Sequence, residues 1–181
     1  MPAEPPATKT CGACTLCCKV MRIDELQKPS GTWCPNCAIG SGCGIYDSRP
    51  GACREFVCLW LGAPDLPGAF RPDKTKVVLA MQEPGPGMVA HCDLANPMAW
   101  RRDPIYSLLK RYATDGWGTA RKALARAGDR VWLITPQGEV DLGELEPGAT
   151  YSHTTGPDGK IKVTIHPPDR AGGGPGEARP S

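Results

Sequence analysis

Apolar and polar positions follow two periods along this chain, and one stretch obeys neither. The run Lys74–Gln82 (KTKVVLAMQ) is β-branched and apolar and predicts a strand. Glu83-Pro84-Gly85-Pro86-Gly87 predicts a turn, and Met88–Cys92 a second strand paired with the first. Further on, Ile105, Leu108, Leu109 and Tyr112 recur at helical spacing, so this segment predicts a helix with one buried face. Asp103 suits its cap, Pro104 its first position and Gly116 its stop. Residues 119–127 fit two templates. Ala120, Ala123, Leu124 and Ala127 suit a helix, yet Gly128-Asp129 ahead of VWLIT is a hairpin signal, and a hairpin is the preferred reading. Gly138–Gly143 continues the β region, and YSHTT with KIKVTIH, joined through Gly156-Pro-Asp-Gly159, forms a last hairpin. His153 and His166 fall on it as surface residues. Residues 1–9 and 167–181 have no apolar period and read as a disordered leader and tail. No internal repeat is present.

The stretch without a period runs from Cys11 to Trp60 and holds nine of the ten cysteines. Cys11, Cys14 and Cys17 lie two residues apart, as do Cys34 and Cys37. Such turns let thiolates converge on one ion while backbone N–H groups point at the sulfurs. Between them, Arg22–Lys28 predicts a single helical turn, broken by Pro29-Ser30-Gly31. Gly40, Gly42 and Gly44 flank Cys43 and permit close backbone approach. Ser48-Arg49-Pro50-Gly51 is a turn signal, and Pro50–Leu61 predicts a short helix with Cys53, Phe56, Val57 and Trp60 on one face. For Phe56 and Trp60 that face reads foremost as core. A proline-rich connector, 62–72, closes this module. The expected fold class is α+β: a cysteine module over 10–62, then a hairpin-rich half over 63–166 with one main helix, packed on it as one domain.

Three chemistries compete for the thiols. Disulfides need an oxidising compartment, and the start of the chain has no apolar signal region, so the expectation is a cytoplasmic protein with metal-binding thiols. For zinc, Cys14, Cys17, Cys34 and Cys37 form C-x2-C-x16-C-x2-C, inside the window of a structural four-thiolate site. That leaves five cysteines unemployed, and a second site would recruit four of them. For iron–sulfur, Cys11, Cys14 and Cys17 give the C-x2-C-x2-C run of bacterial ferredoxins, able to take three corners of a [4Fe–4S] cube. Cys53 or Cys58 would supply the fourth. Adjacent Cys17 and Cys18 do not both suit one ion, so one of them serves a neighbouring metal or supports the other.

These residues also carry a resemblance. Cys11-Gly-Ala-Cys14-Thr-Leu-Cys17-Cys18 resembles the CxxCxxCC signature of the YkgJ-like cysteine-cluster family. The likeness continues through Cys34-Pro35, Cys43-Gly-Ile-Tyr46 and Arg49-Pro50-x-x-Cys53-Arg54-x-Phe56-x-Cys58, about fifty residues in all. That family is described as zinc- or iron-chelating, and its members are often labelled Fe–S cluster proteins. The resemblance implies a metal centre drawing on Cys11, Cys14, Cys17, Cys18, Cys34, Cys43, Cys53 and Cys58, with Cys37 a possible extra. Some relatives methylate flagellin lysines with S-adenosylmethionine, a third reading for which this chain looks too short.

Composition adds three points. Gly and Pro are 22 and 20 of 181 residues, which favours turns and short elements over a bundle. Aromatic residues are only 6%, so the core is lean and a metal cross-linking the loops would compensate. Between Trp100 and Arg130, eight basic residues face three acidic ones, a local +5, which reads as a solvated face before it reads as a nucleic-acid surface. No run has the length of a membrane span. His91-Cys92 reads as a strand with one buried thiol before it reads as a further ligand pair. No Ser-His-Asp set, phosphate loop or carboxylate pair stands out, so an enzymatic role stays open. The expected role is redox or electron transfer with a redox or protein partner; the alternative is a zinc-stapled interaction protein.

Overall fold

The computed structural model describes residues 9–82 and 85–168. The predicted leader and tail therefore lie outside the described residues except at Lys9, Pro167 and Pro168, and the turn after the first strand is described only from Gly85. Lys9 is not loose. Its ammonium donates to the carbonyls of Trp60, Ala63 and Leu66 at 3.0, 2.5 and 2.6 Å.

The fold is α+β, with three sheets among the described residues. The main one has five strands in the order β3-β4-β5-β6-β7: β3 Val77–Gln82, β4 Gly87–Cys92, β5 Lys122–Ala127, β6 Arg130–Thr135 and β7 Gly138–Glu144. Its neighbours are antiparallel except β4 and β5, which run parallel. That one parallel pair is bridged by helix α5, Ile105–Asp115. Small hairpins complete the set: β1 Cys37–Ala38 with β2 Gly42–Cys43, and β8 Thr150–Thr155 with β9 Ile161–His166.

Of residues 119–127, Lys122–Ala127 forms strand β5, with Ala123, Ala125 and Ala127 on one face. These small side chains sit beneath α5, whose Ile105, Leu109 and Ala113 are buried against them together with Trp100, Trp132 and Ile134. Gly128, at φ +61°, turns β5 back into β6. The α5 helix begins at Ile105, one residue later than Pro104 suggested, and the Asp103 carboxylate accepts from the Ser107 N–H at 3.2 Å. Lys74–Lys76 is not strand. Helix α4, Pro72–Thr75, precedes β3, and Lys76 caps it in the left-handed region.

The sheet's other face is covered at its two ends. At one, Leu16 and Val20 of the cysteine module pack on Val78. At the other, Tyr151 and Val163 of the last hairpin pack on Val131, Leu133 and Leu142. Helix α1, Cys17–Val20, is tied to the end of β4 by a Lys19–Asp93 ion pair of 2.7 Å. Gly31, at φ +78°, lets Leu94 pass so close that a Cβ there would stand 2.2 Å from its Cδ1.

One predicted element divides. Pro50–Leu61 is two short helices, α2 Gly51–Glu55 and α3 Leu59–Gly62, with Phe56 extended between them. A continuous helix would aim Cys53 and Cys58 about 140° apart, at 3.6 residues per turn. The break lets both face one cavity and turns Val57 out to solvent at 53% exposure. Trp60 is buried and Phe56 packs beside Leu16 and Val20, so both serve as core.

Candidate metal centre

Four local structures present most of the thiols. The turn from Cys11 to Cys14 closes with a Cys14 N–H to Cys11 carbonyl bond of 2.9 Å, and α1 begins three residues on, at Cys17. The Cys34–Cys37 turn closes in the same way at 3.1 Å, and Cys34 N–H donates to the Cys18 carbonyl at 3.0 Å, docking the second turn on the first. The β1–β2 register sets Cys37 opposite Cys43. Glu25, in the helical turn Asp24–Leu26 that forms within the predicted Arg22–Lys28 segment, accepts from the N–H groups of Gly51 and Ala52 at 2.9 and 3.2 Å and so seats α2, which carries Cys53.

The outcome is one cavity of about 520 Å³ lined by Cys11, Cys14, Cys17, Cys18, Cys34, Cys43, Cys53 and Cys58. These are the eight cysteines that the resemblance implies as ligands. Cys37 does not line it, its thiol lying beside Cys18 and Thr15. Cys92 is far from it in kind: it is buried among the apolar residues of the sheet and α5. All ten cysteines are free thiols. Among the described residues no group of three or more Cys, His, Asp or Glu side chains already stands in a metal-holding arrangement.

Five of the module's thiols, Cys11, Cys18, Cys37, Cys53 and Cys58, are shifted towards the protonated form. A hydrogen bond with Cys17 and then burial push Cys18 up, and burial followed by Cys18 pushes Cys37 up to about 11. Burial is also the main cause of the upward shift at Cys11, Cys53 and Cys58, with neighbouring thiols adding to it. Like charges this close hold each other protonated until a cation replaces the protons.

Two cations near the thiols were not foreseen. Lys28 is buried at 4% exposure, with its ammonium donating to the carbonyls of Lys19, Met21 and Pro29. All three of its protons are thereby used. Burial holds this ammonium below the usual lysine range, while Cys34, Cys18, Cys53 and Cys17 pull the other way. Arg49, which stacks on Tyr46, acts on Cys11. Nothing in a lysine before a proline announces such burial. The signal at Glu25 was better, an acid in a turn ahead of an uncapped Pro-Gly helix start.

No family model, no curated protein and no solved structure matches this chain. No helix of the described residues is long and apolar enough to cross a membrane.

Proposed function

We propose that this is a cytoplasmic member of the YkgJ-like cysteine-cluster proteins, holding an iron–sulfur cluster, [4Fe–4S] in preference to zinc, for electron transfer. The observation that supports this reading most is the lining of the 520 Å³ cavity by the eight family-position cysteines while Cys92 stays outside. The C-x2-C-x16-C-x2-C zinc set is disfavoured because Cys37 does not line the cavity that Cys14, Cys17 and Cys34 share.

A bound cluster would supply one-electron redox chemistry, and Cys11, Cys14 and Cys17 with Cys53 or Cys58 would hold it. The chain's own residues would do the rest. Lys28 and Arg49 offset the negative charge of the thiolates, and Leu26, Phe56 and Leu61 line the cavity and keep water out. Protein purified without oxygen should be brown, with broad visible absorption that dithionite bleaches. A colourless protein carrying one or two zinc ions would instead establish the zinc-stapled reading.

A further inference from the structure

Between the two covers of the sheet's second face lies a larger hollow, a cleft of about 750 Å³. Its floor belongs to the parallel pair β4 and β5. There Val89 stands opposite Leu124, and two residues along His91 stands opposite Arg126. The cleft floor is thus an apolar pair followed by a polar pair. Tyr151 lines the cleft from the last hairpin. Met21 lines both this cleft and the thiol cavity.

The fold makes little use of these polar groups. Both residues line the cleft, and among the described residues neither the His91 ring nor the Tyr151 hydroxyl makes a hydrogen bond to another group. Among the described residues Arg126 makes a hydrogen bond through its Nε alone, donating to the Gly128 carbonyl at 2.9 Å. Its Nη2 is 4.0 Å from Asp129, a carboxylate that is 75% exposed and therefore well screened by water. Asp24 at the rim is already paired with Arg22 at 2.5 Å. Small-molecule sites have this character: a few hundred cubic ångströms, mostly apolar walls and a few converging polar groups.

We propose that this cleft binds a small amphipathic acid, its carboxylate accepting from Arg126 and His91 and its apolar body lying along Val89 and Leu124. The inference does not depend on which metal, if any, the thiols hold.

The test is calorimetric titration of the full chain, as purified, with 2-naphthoate and with its uncharged counterpart 2-naphthalenemethanol. The acid should bind saturably at one site and at least tenfold more tightly than the alcohol. Arg126→Gln, at a half-exposed position that leaves the core alone, should remove at least that tenfold preference, and Leu124→Trp should block both probes. A thermal melt of each variant checks folding. Absence of saturable binding overturns the proposal. So does equal affinity for the two probes, or an Arg126→Gln protein that folds and binds the acid as before. Metal content, measured on the same samples, reports separately on the thiol cavity.

Discussion

Cys14 and Cys92 are thiols of one chain, yet serine at each should have opposite consequences. Cys14 faces the shared cavity, so Cys14→Ser should abolish stoichiometric metal, measured by elemental analysis of anaerobically purified protein. Cys92 is buried among apolar neighbours at 3% exposure, so Cys92→Ser should keep the metal and lower stability by about 1–3 kcal/mol through a buried hydroxyl. Metal loss as complete in the second variant would break the assignment. His91 carries another prediction. Burial first, then Arg126, lowers its pKa from 6.5 to about 4. The unfolded chain therefore binds the extra proton more readily than the folded one between those values. Stability should be level above pH 6.5 and fall as pH drops towards 4, by about 3 kcal/mol in all. The difference in melting between wild type and His91→Gln should grow across that window, and parallel curves would refute it. At this scale the sequence spoke through spacing alone. Paired thiols announce themselves by their intervals, whereas the burial of Lys28 and His91 depends on what folds over them.

Among the elements, α5 and the module's seams are the places where single changes should register. Leu109 is fully buried between α5 and the alanine face of β5, so Leu109→Ala should cost about 2–5 kcal/mol in denaturant unfolding. Gly31→Ala should destabilise by about 1–3 kcal/mol, because the left-handed backbone resists a side chain and Leu94 occupies its space. A double variant Gly31→Ala with Leu94→Ala should recover part of that loss; no recovery would mean that backbone strain alone is responsible. The β3–β4 hairpin, α5 and the final hairpin were legible because their period persists over five residues or more. Residues 119–127 were harder, since alternating Ala and Leu serve both periods until the turn at Gly128-Asp129 decides between them. The division of 50–61 was not legible. Its apolar spacing is helical throughout, and the requirement that Cys53 and Cys58 face one cavity is a tertiary fact.

For the molecule as a whole, apolar burial is uneven. The sheet and α5 share a cluster that includes Trp100, Trp132, Leu109 and Ile134, whereas within the cysteine module only Leu16, Val20, Ile23 and Trp60 are buried apolar residues. Removing metal from the module should therefore loosen it before the sheet gives way. Chelation or oxidative loss should speed protease cleavage within 11–58 and lower the melting temperature, while the tryptophan environment of the α5 core persists to a later transition. Identical digestion patterns with and without metal would show that the thiols do not staple the fold. The parallel seam between β4 and β5 bears on how the chain reaches this state at all. Every other pairing in the main sheet joins neighbours in sequence through a short turn, and such hairpins close within microseconds. The seam must wait until some thirty residues between Cys92 and Lys122, α5 among them, have been gathered in, so its loop entropy falls due before its contacts form. Substitutions along Val89 and Leu124 should hence act mainly on the unfolding rate and those in the β5–β6 turn on the folding rate, dividing the kinetics of one sheet into an early half and a late join.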